Sequence, residues 1–296
     1  MTESVITMDY SNIEQRGTDI VLTDIKNFIP SQVLDNGQCF RWNGSADSYN
    51  GIAHGRQLEL VLENEELILK NVTLNEFESV WRDYFDLNRD YGQLRRLYAA
   101  DDTLNKAMAF SPGLRIMKQD PWETLITFIL SQNSNIPRIK AMVARLCENF
   151  GQALQWDKTV DAGGAKSFTF PMPEDLAPLS ADDLASIRSG YRAEYIIDAA
   201  RRASDKRLDL EALQSMSSED VRMALMEIHG VGPKVADCVL LYGFGRVGHY
   251  PLDVWMKRVM ASYYPDGFPD VLTNTAGIAQ QFLFHYIRKY KALGCQ

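Results

Sequence analysis

The segment 225-LMEIHGVGPKVADCVLLY-242 decides the fold of this chain. Apolar residues at helical spacing lie on both sides of a Gly-Val-Gly-Pro turn, which predicts a helix, a tight hairpin and a second helix over residues 225–243. Gly230 and Gly232 allow positive φ and close backbone approach, and Pro233 suits the first turn of the second helix. The free amides and the positive helix end of such a hairpin form an anion site. On a nucleic acid that anion is a phosphate, bound without reading the sequence.

Lys234 and Asp253 make this binding element a candidate active site. Lys234 falls in the first turn of the second helix, where the positive helix end and partial burial disfavour the charged amine and favour a nucleophile. Asp253 precedes Val-Trp-Met-Lys-Arg, a pattern typical of a helix N-cap held as a carboxylate. Taken singly, a solvated lysine and a simple helix cap are the commoner interpretations. Together, on either side of one hairpin, they indicate a catalytic amine with a carboxylate partner.

The composition is that of an ordinary globular protein. The chain has 296 residues and four cysteines, Cys39, Cys147, Cys238 and Cys295. These cysteines are too far apart for a local Cys-x-x-Cys metal or redox site, and they argue against a disulfide framework. No apolar run approaches ~18 residues and no charged-then-apolar leader is present, so we expect an intracellular protein without a membrane anchor.

The net charge of −8 is unevenly distributed. Residues 1–112 carry 10 basic and 18 acidic side chains, whereas residues 113–296 carry 21 of each. A negative charge opposes nucleic-acid binding, because Lys and Arg supply most of the non-specific affinity. Helix ends and backbone amides bind phosphates without a strongly basic surface, so the acidity does not exclude DNA as a partner.

The hydrophobic pattern changes from short strands to helices along the chain. Short apolar runs and period-2 alternation, separated by Asn, Gly and acidic turns, predict an N-terminal antiparallel sheet domain over residues 1–112, which ends in two helices over 73–84 and 92–110. Residues 113–296 show helical spacing, and Asp120 with Glu123 predicts a capping box at a helix start. The fold class is therefore α+β, with an all-α helix-hairpin-helix region after the sheet.

Four further segments carry candidate functional residues. Each also has a simple structural interpretation: a glycine turn before a strand, a polar helix–helix turn, a core tyrosine beside a surface arginine, and a C-terminal helix of mixed faces. The segments are 36-NGQCFRW-42, 131-SQNSNIPR-138, 189-SGYRAEY-195 and 276-AGIAQQFLF-284.

These segments, together with the hairpin, Lys234 and Asp253, resemble the helix-hairpin-helix DNA glycosylases, and specifically the 8-oxoguanine DNA glycosylase family. The resemblance extends from about Asp24 to about Phe284. It implies that the helical region consists of two subdomains. It also implies base-excision repair by a bifunctional enzyme, which removes 8-oxoguanine, with cytosine expected opposite the lesion, and then cleaves the strand through a lysine Schiff base.

The resemblance assigns the base pocket to four residues. The carbonyl of Gly37 accepts a hydrogen bond from the N7–H that 8-oxoguanine has and guanine lacks, and a Cβ at this position is expected to intrude on the pocket. Gln280 meets the Watson–Crick edge of the base. Phe284 stacks on one face of the base, and Cys238, one helical turn after Lys234, packs on the other.

The resemblance also assigns the DNA contacts. Asn133 fills the gap left by the extruded nucleotide, and Arg138 contacts the orphaned cytosine. Tyr191 wedges into the base stack, and Arg192 binds the estranged base. Gly230 and Gly232 of the hairpin approach the phosphates.

Two positions depart from the family pattern, and one motif of some relatives is missing. Trp255 replaces a histidine that animal members carry two positions after the aspartate, which puts its phosphate contact in doubt. Ser134 replaces the middle residue of an asparagine triplet. A four-cysteine iron–sulfur loop after the aspartate, as some relatives have, is absent from the sequence.

Three other functions compete with this hypothesis: a glycosylase for alkylated or mispaired bases, a non-catalytic hairpin module that binds DNA, and a protein-interaction scaffold. Lys234 together with the Gly37 segment argues against the first, and a binding module has no need of Asp253 or of a glutamine–phenylalanine pocket. We expect lesion-containing duplex DNA as the partner, a monomer, and no cofactor or metal bound by side chains. The family allows an alkali ion held by hairpin carbonyls, which no side-chain pattern can test.

Overall fold

The computed structural model describes residues 8–154 and 167–292, with side chains to residue 289. Within these residues the N-terminal part forms a six-stranded antiparallel sheet in the order β1-β2-β6-β5-β4-β3. The antiparallel sheet that the sequence predicts is confirmed. The strands are β1 (Asn12–Arg16), β2 (Asp19–Thr23), β3 (Trp42–Ser45), β4 (Ser48–Ala53), β5 (Arg56–Glu63) and β6 (Glu66–Leu69).

Alternating side chains of the sheet bury one face. In β5, Leu58 and Leu60 are buried while their neighbours are more exposed, which is the period-2 pattern of a sheet with one solvated face. A helical stretch covers the buried face; it runs from α2 (Leu74–Glu76) through a π-helical turn (Phe77–Trp81) to α3 (Arg82–Tyr84). Its aromatic side chains pack with Trp42, which donates a hydrogen bond to the Tyr84 hydroxyl at 2.8 Å.

The rest of the described chain is almost entirely helical, apart from a two-stranded ladder of β7 (Ala153–Leu154) and β8 (Ser167–Phe168). A short helix, α1 (Pro30–Leu34), precedes the Gly37 segment. The remaining α-helices are α4 (Tyr91–Tyr98), α5 (Asp102–Phe110), α6 (Pro121–Ser131), α7 (Ile136–Phe150), α8 (Pro173–Leu176), α9 (Arg192–Ser204), α10 (Leu210–Leu213), α11 (Ser218–Met226), α12 (Pro233–Tyr242), α13 (Val254–Tyr263) and α14 (Ala276–Ala292). Short 3-10 helices cover Ala185–Ile187 and Asp270–Thr275.

The buried side chains divide differently from the boundary expected at residue 112. The sheet core contains residues from Ile20 to Leu87 together with Met117, whereas α4 and α5 contribute to the core of the later helices. The reason is packing: α5 lies against α14, and the Tyr98 hydroxyl donates to the Thr275 carbonyl at 3.1 Å. The helices share one continuous cluster of buried residues, so separate cores do not mark the two helical subdomains.

Buried polar contacts join the sheet to the helices. Arg115 is fully buried, stacks on the Tyr91 ring at 4.1 Å and pairs with Asp9 at 2.8 Å. Asp9 also accepts from the Tyr91 amide at 2.9 Å, so both charges of this pair have additional partners. Additional hydrogen bonds of this kind offset part of the cost of burying an ion pair, although the Nε atom of Arg115 has no partner among the described residues. The pair fixes the start of α4 against the segment that enters α6.

A second ion pair, between Arg41 and Glu123, explains why the predicted capping box at α6 is only half formed. Asp120 caps the helix by accepting from the Glu123 amide at 2.8 Å. The Glu123 carboxylate does not bond back to the cap, because it pairs with Arg41 at 3.2 Å. Arg41 follows the Gly37 segment, so this pair helps to hold that segment against α6. Among the described helices, none has the length and apolar character needed to cross a membrane.

Candidate active site

The hairpin between α11 and α12 has the predicted form, with Gly232 as the N-cap of α12 and Pro233 at its first position. Gly230 has a φ of +79°, and a Cβ there would overlap the Tyr195 ring, so glycine is required on two grounds. Gly232 differs from the expectation of positive φ. Its φ is −101° and a Cβ would meet no atom within 4 Å, so the backbone at this glycine faces open space.

Lys234 lies in the first turn of α12 and is half-buried. Its Nζ atom lies 5.4 Å from the centre of the Phe128 ring, a distance at which a cation and an aromatic face attract. Phe128 stacks on Tyr242, with ring centres 5.4 Å apart. Burial raises the pKa of the neighbouring Cys238 thiol to about 11, and the nearby Lys234 amine partly offsets this rise. Cys238 is therefore a neutral thiol at physiological pH and an apolar neighbour of the amine.

Asp253 is the N-cap of α13, as predicted. Its carboxylate accepts from the Met256 amide at 2.7 Å, while its backbone carbonyl accepts from the Lys257 amide at 2.8 Å. The half-buried carboxylate lies at the positive end of α13, where the helix dipole attracts a negative charge. The helix cap thus fixes the position of a carboxylate that lines the cleft described next.

One cleft of about 70 Å³ brings together both candidate catalytic residues and all four predicted pocket residues. This volume is below the ~300–1,000 Å³ of typical ligand sites, so the cleft is narrow in this conformation. Sequence reasoning missed four lining residues, of which Phe128 and Tyr242 sit at ordinary apolar positions of α6 and α12. The complete lining is Asn36, Gly37, Phe128, Lys234, Cys238, Tyr242, Pro251, Asp253, Gln280 and Phe284.

Gln280 is the polar side chain best prepared for a ligand. It is 2% exposed, and within the described part of the chain its Oε1 atom has no hydrogen-bond partner. An unpaired buried acceptor costs free energy, which a donor group of a bound molecule would recover. Its neighbour Gln281 differs, because the Oε1 of Gln281 accepts from the Tyr242 hydroxyl at 2.6 Å.

Gly37 lines the cleft, but a side chain at this position would not point into the cleft. The residue has a φ of +89°, in the left-handed region that favours glycine. A Cβ there would lie 3.3 Å from Cδ1 of Ile136 and 3.6 Å from Nη1 of Arg288. The expectation that a Cβ would intrude on the base pocket is therefore wrong, because the turn directs that position towards α7 and α14.

Three of the expected DNA contacts lie at the surface. Asn133 and Arg138 are exposed, and Tyr191 is 52% exposed, an unusual value for a large aromatic residue. Asn133 lies at the tip of the turn between α6 and α7 with a φ of +46°. Arg138 and Tyr191 line the same groove of about 480 Å³. These residues form an exposed edge at one side of the hairpin.

Arg192 lies apart from this exposed group. It is only 3% exposed, and its guanidinium donates to backbone carbonyls of Gln132, Ser189 and Asn133. The sequence-based expectation was an arginine that contacts the estranged base. In this structure the guanidinium is instead turned inward to the backbone, which the local Gly-Tyr-Arg motif could not reveal.

Comparison with known proteins gives the family. The model described as "8-oxoguanine DNA glycosylase, N-terminal domain" matches residues 20–125, and that described as "HhH-GPD superfamily base excision DNA repair protein" matches residues 126–267. A solved structure of MBOgg1 with a low-affinity DNA ligand is 41% identical, with a TM-score of 0.89 over 96% of this chain and 100% of that chain. The chain belongs to the 8-oxoguanine DNA glycosylase family.

Other members of the family differ in how much of their length is matched. The 8-oxoguanine glycosylase/lyase of Clostridium acetobutylicum, solved with DNA containing cytosine opposite 8-oxoguanine, is 33% identical with a TM-score of 0.87 over 96% of this chain and 100% of that chain. The N-glycosylase/DNA lyase of Saccharomyces cerevisiae is 43% identical over 54% of this chain and 45% of its own length. A probable N-glycosylase/DNA lyase of Methanothermobacter thermautotrophicus is 33% identical over 61% of this chain and 62% of its own. The chain thus aligns with less than two thirds of these two relatives.

The structure shows the contacts of the two residues that depart from the family pattern, Trp255 and Ser134. Trp255, in the first turn of α13, lies under the Arg258 guanidinium at 5.4 Å, so this position carries an aromatic–cation pair rather than a histidine. Ser134 is half-buried, and its Oγ has no hydrogen-bond partner among the described residues. Cys39, Cys147 and Cys238 are buried free thiols, while Cys295 lies outside the described residues.

The described residues contain no group of three or more His, Cys, Asp or Glu side chains that could hold a metal. An alkali ion at the family's hairpin would need several carbonyl oxygens directed at one point. Here the Ile228 carbonyl accepts from the Val231 amide at 3.0 Å, and the Gly232 carbonyl accepts from the amides of Val235 and Ala236 at 3.1 Å.

Proposed function

We propose that the protein is a bifunctional DNA glycosylase and lyase of base-excision repair that removes 8-oxoguanine, with cytosine as the opposite base. The observation that carries this proposal is the single cleft lined by Lys234, Asp253 and the unpaired Gln280. A nucleophile, a fixed negative charge and an unsatisfied hydrogen-bond acceptor are the parts that a base-removing enzyme needs. A binding module or an interaction scaffold needs none of them in this arrangement.

The chemistry follows from the two catalytic residues. Neutral Lys234 attacks C1′ of the deoxyribose, and the bond from C1′ to N9 breaks with its electron pair leaving on the base. Asp253 stabilises the positive charge that develops on the sugar as this bond lengthens. Opening of the sugar ring gives a protonated imine with Lys234. Loss of a proton from C2′ then expels the 3′ phosphate, which nicks the strand.

Recognition of the base uses the lining of the same cleft. The base must leave the helix before Lys234 can reach its sugar, and the narrow cleft must widen to admit a purine. The Gly37 carbonyl accepts the N7–H of 8-oxoguanine, and Gln280 bonds to the Watson–Crick edge. Phe284 and the neutral Cys238 thiol pack on opposite faces of the base. Guanine presents an acceptor at N7, so two acceptors would face each other and binding would be lost.

The DNA duplex lies across the hairpin and the exposed edge beside it. The amides of Gly230 and Gly232 and the positive end of α12 bind a phosphate, for which the open space at Gly232 supplies room. Asn133 fills the gap left by the extruded nucleotide and Tyr191 wedges into the stack. Arg138 contacts the orphaned cytosine. We propose that the protein acts as a monomer, because every residue invoked belongs to one chain.

Borohydride trapping tests the proposal. The protein is incubated with duplexes containing 8-oxoguanine, 1,N6-ethenoadenine or no lesion, opposite cytosine or thymine, and both strand nicking and covalent adducts are measured. We expect nicking and trapping with 8-oxoguanine, and loss of both in Lys234→Gln. Lys106→Gln, which changes an exposed lysine of α5, serves as the matched control and should retain both activities. Full trapping in Lys234→Gln would exclude this lysine as the nucleophile.

A further inference from the structure

We propose that Arg188 is a further DNA-binding residue, which contacts a backbone phosphate of the strand that carries the orphaned base. This inference rests on the proposed function and deepens it, because it concerns the same DNA-binding surface. Three observations support it: the groove that Arg188 shares with Arg138 and Tyr191, the unpaired guanidinium of Arg188, and the backbone conformation of this residue.

Arg188 lines the groove of about 480 Å³ that Arg138 and Tyr191 also line, and all three side chains are exposed. In the proposed function Tyr191 wedges into the base stack and Arg138 contacts the orphaned cytosine. The groove therefore faces the strand opposite the lesion. That strand offers one unstacked base, which Arg138 already contacts, and a phosphate on each side of this base. Phosphate oxygens and sugars accept half or more of the hydrogen bonds between proteins and DNA.

The guanidinium of Arg188 is available to an anion. Asp182 and Glu194 also line the groove, but among the described residues neither carboxylate forms an ion pair with Arg138 or Arg188. Neither guanidinium donates a hydrogen bond to any described residue. The planar fork of an arginine matches two oxygens of a phosphate. Because the two carboxylates offset the two arginines, we expect one phosphate to bind at a defined position rather than a broad attraction of the whole groove for DNA.

The backbone at Arg188 has an unfavourable conformation. Its φ of +58° lies in the left-handed region, which costs free energy for a residue with a Cβ. The next residue, Ser189, is 1% exposed, and its Oγ atom has no hydrogen-bond partner among the described residues. Strained backbone and unpaired buried groups are found mainly at functional sites. A glycine would avoid the strain, so stability does not account for an arginine at position 188.

Bonds from α7 hold this turn in place. Arg145 donates to the Ile187 carbonyl from Nε at 3.1 Å and from Nη2 at 2.8 Å. Arg145 and Arg138 both belong to α7, about two helical turns apart and on the same side of the helix. The bonds of Arg145 therefore fix the backbone at Arg188 relative to Arg138. A residue held in place before binding loses less entropy when the phosphate binds.

DNA binding by Arg188→Gln, Arg188→Lys and Arg188→Gly tests the inference. The probes are a duplex with a tetrahydrofuran abasic site and the same duplex without a lesion, and affinity is measured over a range of salt concentrations. In a second series, an uncharged methylphosphonate replaces each phosphate around the orphaned base in turn, on either strand. Melting temperature is measured alongside. Arg56→Gln is the matched control, since Arg56 is an exposed arginine of β5, a strand that lines neither the cleft nor the groove.

If Arg188 binds a phosphate, Arg188→Gln weakens binding to both duplexes roughly threefold to tenfold and reduces the slope of log affinity against log salt by about 0.9. One methylphosphonate in the strand of the orphaned base weakens binding by the wild-type protein but not by Arg188→Gln. Arg188→Lys, which keeps the charge, keeps most of the salt dependence. Arg188→Gly binds as weakly as Arg188→Gln, although relief of the left-handed strain leaves its melting temperature unchanged or raised. Arg56→Gln binds like the wild-type protein.

Three results would overturn the inference. One is wild-type affinity and salt dependence in Arg188→Gln. Another is a loss of affinity that follows a fall in melting temperature across the variants, which would make Arg188 a structural residue. The third is that the methylphosphonate to which Arg188→Gln is insensitive lies only in the lesion strand. Failure of the wild-type protein to excise 8-oxoguanine would contradict the proposed substrate instead. Binding to the duplex without a lesion needs no excision, so it still decides whether Arg188 contacts DNA.

Discussion

The Nζ atom of Lys234 lies 5.4 Å from the centre of the Phe128 ring. Phe128 is 4% exposed and its ring is nearly parallel to that of Tyr242, at an interplanar angle of 11°. The nucleophile is therefore held beside a stacked aromatic pair. This relationship links the first turn of α12 to the middle of α6, two elements about 100 residues apart in the sequence.

Phe128→Leu is expected to slow excision about tenfold while the protein stays folded. Loss of the ring removes the aromatic face beside the Lys234 amine and leaves the amine less well oriented for attack. Single-turnover excision of 8-oxoguanine measures the effect. Phe85→Leu, in the buried aromatic cluster of the sheet, is the matched control, with a similar loss of stability and an unchanged rate. Equal slowing in both variants would show that the effect is one of stability alone.

Asp253→Asn is expected to slow base release by about 100-fold or more with little change in stability. An amide oxygen still accepts from the Met256 amide, so the cap of α13 is kept, but the neutral side chain cannot offset a developing positive charge. Rates are compared with those of Asp120→Asn, which makes the same change at the cap of α6. An unchanged single-turnover rate would remove Asp253 from the mechanism.

Gly37→Ala is expected to lose ~1 kcal/mol of stability and, separately, about tenfold in excision. The stability loss comes from its φ of +89°, and the loss of activity comes from a shift of the Gly37 carbonyl as the new Cβ pushes on Ile136. Gly17→Ala is the control for backbone strain, since Gly17 has a φ of +65° and nothing within 4 Å of a Cβ. Urea denaturation and excision rates are measured for both. Normal excision by Gly37→Ala would make Gly37 a turn glycine only.

Gln280→Met is expected to leave stability unchanged or slightly raised, since it replaces a buried acceptor that has no partner. Excision should fall roughly 10-fold to 100-fold, the effect of losing a buried hydrogen bond of about 1–3 kcal/mol. Gln281→Met is expected to lower the stability of the protein, because it leaves the Tyr242 hydroxyl without its acceptor. Melting curves and single-turnover rates separate the two variants. A strongly destabilised Gln280→Met would mean that Gln280 supports the fold.

His285 should make the protein less stable in mild acid. Burial, with a smaller effect from Lys289 and Arg288, lowers the pKa of His285 to about 4. In the unfolded chain the ring titrates near ~6.5, so below that pH the unfolded state binds a proton that the native state does not. Stability attributable to this residue is therefore full above pH ~6.5 and falls as the pH approaches 4.

The measurement is the free energy of unfolding in urea at pH 7 and pH 5. The wild-type protein should lose on the order of 1–2 kcal/mol more than His285→Gln over this interval. The variant is also expected to be less stable at pH 7, because the contact between His285 Nδ1 and the Ser111 hydroxyl at 2.6 Å is changed. Equal losses in both proteins would assign the acid sensitivity to other groups.

The sequence by itself determined the elements whose causes are local. Alternation of apolar residues gives the antiparallel sheet, and the Gly-Val-Gly-Pro turn gives the hairpin. Asp120 and Asp253 were predicted as N-caps because a cap bonds to an amide only three residues away. Identification of the residues that line the cleft needed the family resemblance as well, since no periodicity relates Gly37 to Gln280.

Only the tertiary structure decided how distant residues face one another. The Glu123 carboxylate has two acceptable partners, its own cap and Arg41, and the packed fold selects Arg41. The direction of a Cβ at Gly37 depends on Ile136, which lies about 100 residues away in the sequence. Arg192 looks like a surface residue in its motif and is buried on carbonyls of the Gln132 turn. Such contacts depend on the relative placement of whole helices, and that placement is set by close packing of the common core rather than by any short segment.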